Sequence, residues 1–140
     1  MATRLARLAC CLCMMAASPA IACSVVVQWR LPFDPGTTET SARHVAELAS
    51  WLGEAARGRL RFDAVLVEGF APATAHNARD LADRRARKVR RMVRAFTGSA
   101  LPVEIHASVV PGSSPDGSDD AVIQLAPSAT TAAAGCPGPN

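Results

Sequence analysis

Apolar and polar positions recur along this chain with two periods, and each change of period marks a new element. β-Branched residues crowd Ser24 to Arg30 (SVVVQWR), which predicts a first strand ending at Leu31-Pro32-Phe33, with a turn at Asp34-Pro35-Gly36. The period then lengthens. Val45, Leu48, Ala49, Leu52 and Ala55 or Ala56 make the stripe of a helix that Thr40 or Ser41 can cap and Gly58 can close, with Trp51 just off it and covering its edge. Arg61 to Glu68 reads as a second strand around the apolar run Val65-Leu66-Val67, closed by Gly69 and Pro72. The loop 71–80 (APATAHNARD) opens into a long amphipathic helix from Leu81 to Phe96, with Gly98 as its left-handed stop. Val103 to Val109 (VEIHASV) alternates, placing Val103, Ile105, Ala107 and Val109 on one face of a third strand that is wet on the other. A polar loop over 111–120 leads to a fourth strand, Ala121 to Ala126.

The predicted order is β-α-β-α-β-β. Such a chain makes a small mixed sheet with both helices on one face, a two-layer α/β sandwich, and parallel neighbours joined through a helix cross over right-handed. Residues 23–126 form the expected domain, and 127–140, without periodicity, form a disordered tail.

One residue breaks the long helix's pattern. At about 100° per residue, Leu81, Ala82, Ala86, Val89, Met92, Val93 and Phe96 fall within a sector of roughly 140°. Arg84, Arg87, Lys88, Arg91 and Arg94 lie outside it and read as a solvated face or a surface for an acidic partner. Arg85 projects at roughly 40°, inside the apolar sector. A guanidinium there must meet acceptors, because an unpaired buried charge costs several kcal/mol. Two readings fit: a structural tie to a carboxylate or loop carbonyls, or a cation aimed at the loop before the helix, where a ligand carboxylate would dock.

Composition changes the picture at the ends of the chain. Arg4 and Arg7, the apolar run Leu8 to Ala17 and the small residues at 18–22 have the layout of a secretory signal peptide over 1–22. Removing it leaves thirteen basic against twelve acidic residues, a net charge of +1, so the basic balance is no argument for a nucleic-acid partner. No later run is long enough for a transmembrane helix. Cys23 and Cys136 then remain, either as a disulfide in an oxidising compartment or with Cys23 as the lipidated first residue of a lipoprotein. No cysteine or histidine cluster suggests a metal or cofactor. Nor does the chain read as an enzyme: His44 and His106 sit on surfaces, His76 stands alone near the loop, and Ser108 and Ser113 lack a nucleophile's setting.

Two runs, Val67-Glu68-Gly69-Phe70-Ala71-Pro72 and Leu81-Ala82-Asp83-Arg84-Arg85-Ala86-Arg87-Lys88-Val89, resemble the central signature of the OmpA-like peptidoglycan-binding domain family, and the likeness spans about Val25 to Ala126. The resemblance implies a non-catalytic module in the periplasm or envelope of a Gram-negative bacterium. Its implied partner is peptidoglycan, through the carboxylate and amine of a diaminopimelate-type stem peptide, or else an envelope protein. The family's ligand-binding helix arginine falls on Arg85, and Asn77, Leu81 and Phe70 are the implied residues around it. Asn77 sits one position before the family's loop asparagine. The family's loop aspartate falls on Pro72, and an Asn-Arg pair that opens its last strand falls on Asp119-Asp120, so this member is degenerate at the site.

Overall fold

The computed structural model describes residues 27–58, 61–98, 101–111 and 119–128. The signal-peptide segment, Cys23, Cys136, and the tail beyond residue 128 lie outside the described residues. The elements are β1 (Val27–Pro32), α1 (Ala42–Arg57), β2 (Phe62–Pro72), α2 (Ala78–Thr97), β3 (Val103–Val110) and β4 (Asp120–Pro127). They form a four-stranded sheet in the order β1-β4-β2-β3, antiparallel except for the β2–β3 pair. Both helices lie on one face, which is the predicted two-layer α/β sandwich.

Alternation decides which side chains meet the helices. Leu31, Val65, Val67, Ala121, Ile123 and Leu125 point inward and are buried with Leu48 and Leu52 of α1 and Val89 and Val93 of α2. Ser41 caps α1, its Oγ accepting from the His44 N–H at 3.2 Å. Trp51 covers the edge as expected and stacks at a tilt on Trp29, ring centroids 5.7 Å apart. An irregularity between Phe62 and Ala64 reverses the alternation at the start of β2, turning Phe62 back toward the core.

Several boundaries differ from the sequence reading. β2 does not stop at Glu68 but runs on through Gly69 to Pro72. Gly69 ends nothing; it is where α2 rests on bare strand. A Cβ there would fall on the carbonyl of Ala82 and 2.8 Å from the Ala86 nitrogen. The loop correspondingly shrinks, since α2 begins at Ala78 rather than Leu81. Gly98 has positive φ, but its ψ of −173° is extended rather than left-handed helical. β4 includes Pro127, which the sequence reading left in the tail. Phe96, placed on the core stripe, is 43% exposed: at the last turn of α2 it rims a cleft of about 340 Å³ with Leu52, Phe62 and Leu101. Val109 is exposed as well; it pairs with Ala71 on β2, level with the very start of α2, so little of the helix covers it.

Candidate functional site

The close approach of α2 to Gly69 sets the geometry around Arg85. Because Ala82 and Ala86 sit directly on β2, Arg85, which shares their sector of the helix, lies down beside the end of that strand. Arg85 has no exposure and is the largest fully buried side chain among the described residues. Its Nη1 donates to the Phe70 carbonyl at 2.7 Å, at the C-terminal end of β2. Nε donates to the Thr37 carbonyl at 2.8 Å, and Nη2 to the Asp34 carbonyl at 3.3 Å, both in the loop joining β1 to α1. Nη2 also meets Asp119 Oδ1 at 2.7 Å, just before β4. The guanidinium carbon stands 5.2 Å from the centre of the Phe33 ring.

Three segments distant in sequence thus converge on one cation. The β1–α1 loop is shaped to meet it. Gly36 takes a φ of 69°, Thr37 N–H donates back to the Asp34 carbonyl at 3.0 Å, and Gly36 N–H points to Asp119 Oδ1 at 3.4 Å. Phe33 N–H donates to the Asp119 carbonyl at 2.8 Å, so Asp119 is tied to the loop by backbone and side chain together. One turn further along α2, Lys88 Nζ donates to the Thr38 carbonyl at 2.7 Å and to Glu39 Oε2 at 3.2 Å, fastening the other half of the loop.

Of the acceptors around Arg85, three are backbone carbonyls and only Asp119 brings charge. Asp119 is also the one side-chain partner, and that side chain is 25% exposed. The arrangement is therefore a carboxylate-holding site whose carboxylate comes from the chain itself. Chemically it can bind and orient an anion; it offers no nucleophile beside a base.

The four residues implied as ligand-binding do not share one open pocket. Arg85 and Phe70 meet, but through the Phe70 carbonyl; alternation turns the Phe70 ring to the sheet face away from the helices. Leu81 is buried with Ala71 and Ala82. Asn77 precedes α2 in the left-handed region, φ 53° and ψ 45°, exposed and making no side-chain cap bond. Pro72 ends β2, and its carbonyl accepts from the Ala75 N–H at 2.9 Å in the short turn before the helix. An open cleft of about 590 Å³ beside β3 is lined by other residues, among them Glu68, Arg79, Asp83, Arg87 and Ser108, with Ser108 Oγ donating to Glu68 Oε1 at 2.5 Å. Sequence reasoning located Arg85 and noted the acids Asp119-Asp120 before the last strand, but did not pair Asp119 with Arg85. Among the described residues no helix is long and apolar enough to cross a membrane, and no group of three His, Cys, Asp or Glu could hold a metal ion.

No protein-family model matches this sequence, and no curated protein matches it. Solved structures do, and they define the fold as the OmpA-like one. The OmpA-like domain of FopA1 from Francisella tularensis is similar at 14% identity and a TM-score of 0.54, covering 74% of this chain and 75% of that one. A periplasmic domain of Helicobacter pylori MotB is similar at 14% identity and a TM-score of 0.53, covering 75% and 83%. The cell wall anchor of the T6SS from Pseudomonas aeruginosa matches at 19% identity and a TM-score of 0.54, covering 73% and 80%. At these identities the likeness is one of fold.

Proposed function

We propose that this chain is a non-catalytic binding module of the bacterial cell envelope, exported to the periplasm, that contacts peptidoglycan weakly. The observation that supports it is that Arg85 already holds a carboxylate in an OmpA-like frame. Three of its acceptors are fixed backbone carbonyls, and the partly exposed Asp119 side chain is the one that can give way. On this reading a stem-peptide carboxylate, of the diaminopimelate type, engages Arg85 by displacing Asp119. The ammonium of such a ligand finds no acid at Pro72, which weakens the contact by about 1.5–3 kcal/mol. Co-sedimentation with purified sacculi tests this: Asp119→Ala should be retained more than wild type. Equal, negligible retention of both folded proteins defeats the peptidoglycan reading.

A second reading is favoured by the full burial of Arg85. In it the cation is purely structural, and the domain serves as a protein-interaction or structural element of the envelope. A discrete crosslinked protein adduct that survives digestion of peptidoglycan supports it. Export and anchoring are separable from both: intact mass of the mature protein distinguishes a lipid on Cys23 from a Cys23–Cys136 bridge.

A further inference from the structure

α2 carries a second group of cations that the Arg85 tie does not use. Arg87, Arg90, Arg91 and Arg94 follow at spacings of one to four residues and share one stripe of the helix outside the core. They alone line a cleft of about 290 Å³. Arg87 pairs with Asp83 at 2.9 Å, whereas Arg90, Arg91 and Arg94 meet no acidic partner among the described residues.

Two ordinary explanations cover only part of this. Compensation of the helix dipole accounts for Arg94 alone, the basic residue of the last turn. A solvated face accounts for exposed guanidinium groups such as that of Arg91, which water satisfies. It does not account for the Nε of Arg90, which is closed off from solvent and makes no hydrogen bond among the described residues. A buried charged donor with no acceptor is costly, and guanidinium groups packed at three- and four-residue spacing repel one another. An anion seated among the four offsets the repulsion directly, and a shift of the half-buried Arg90 side chain toward it would give the shielded Nε an acceptor as well.

We propose that Arg87, Arg90, Arg91 and Arg94 form a binding site for a phosphoryl group, held in the cleft between their guanidinium groups. A carboxylate has two coplanar oxygens and a single charge, enough for one fork. A phosphoryl group has tetrahedrally disposed oxygens and up to two charges, and so accepts from several guanidinium forks together. The cleft opens on the outer side of α2, so the group can come from free phosphate or from a phospholipid headgroup. The site is independent of the Arg85 reading and stands or falls without it.

Thermal unfolding of the full chain in phosphate and in chloride is the first test, at matched ionic strength and at concentrations too low for phosphate's general exclusion from protein surface to act, because screening alone acts equally in both. Phosphate should raise the Tm more than chloride. Arg90→Gln and the double variant Arg91→Gln/Arg94→Gln should abolish that difference, with apparent phosphate affinity falling about tenfold or more. Arg84→Gln, whose arginine pairs with Asp80 at 3.3 Å away from the cleft, should keep it. Flotation with phosphatidylcholine vesicles, with and without phosphatidylglycerol, separates the sources. Retention that needs phosphatidylglycerol and is lost in the quartet variants supports the lipid source; a phosphate-specific Tm shift without flotation supports free phosphate. Equal shifts in phosphate and chloride, with no selective flotation, overturn the proposal, as does an undiminished response in the quartet variants.

Discussion

Arg85 and Arg91 lie six residues apart on one helix and experience opposite surroundings. Arg85 is wholly buried and donates to Thr37, Phe70, Asp34 and Asp119. Arg91 is exposed and has no acidic partner among the described residues. The same side chain is a structural tie in one place and a source of like-charge repulsion in the other. What decides is the wheel position: one arginine lands in the sector that faces β2, the other in the sector that faces water.

Deleting each cation should break the symmetry most visibly. Arg85→Ala leaves Asp119 and three carbonyls without their donor, a loss of about 3–5 kcal/mol. Arg91→Gln should move stability by less than about 0.5 kcal/mol. Urea unfolding followed by circular dichroism measures both, with the slope unchanged if only the folded state is affected. Equal costs would show that Arg85 does not tie the loop and Asp119 to α2.

A backbone change should act next most strongly. Gly69→Ala places a Cβ against the Ala82 carbonyl and the Ala86 nitrogen, neither of which is a side-chain end that can swing away. α2 must lift from β2, costing about 1–3 kcal/mol. That shift carries Arg85 away from the Phe70 carbonyl while leaving the quartet in solvent, so phosphate-dependent stabilisation should survive in the folded fraction. Asp119→Asn is milder, roughly 1–2 kcal/mol, because the amide oxygen can still accept but the charge is gone. In a double-mutant cycle Arg85 and Asp119 should couple, whereas Arg91 and Asp119 should add.

The same contrast explains what could be read from the sequence. The order β-α-β-α-β-β was legible because alternation and helical period are local, and the anomaly of Arg85 was legible because it is a property of one helix. Its partner was not. Asp119 follows Arg85 by 34 residues, and only the pairing of β4 between β1 and β2 brings the two together. Gly69 was misread for a related reason. A glycine after an apolar run looks like a stop, and nothing local says that a helix will lie against it. Phe96 failed differently: a wheel gives direction but not reach, and the last turn of α2 rims an open cleft instead of a packed layer.

The smallest effect has the most informative sign. Arg91 has Arg87 and Arg94 at four and three residues' distance, and Lys88 three residues before it, all positive. Like-charged pairs at these spacings each destabilise a helix by about 0.2–0.5 kcal/mol, while Arg and Gln have nearly the same helix propensity. Neutralising Arg91 therefore relieves repulsion without a propensity penalty. Arg87 and Lys88 are already offset by Asp83 and Glu39, so about one full pair remains, and at low ionic strength without phosphate Arg91→Gln should raise stability by about 0.3–0.5 kcal/mol, or roughly 1–4 °C in Tm. Added sodium chloride should erase the gain, since the charges are exposed and the screening length falls to about 10 Å at 0.1 M. Asp119→Asn has the opposite sign and, being partly buried, should keep most of its cost in salt. A salt-independent gain at Arg91, or a loss, would mean that its charge is compensated in the free protein and that Arg90, Arg91 and Arg94 are not a cluster without counter-charge.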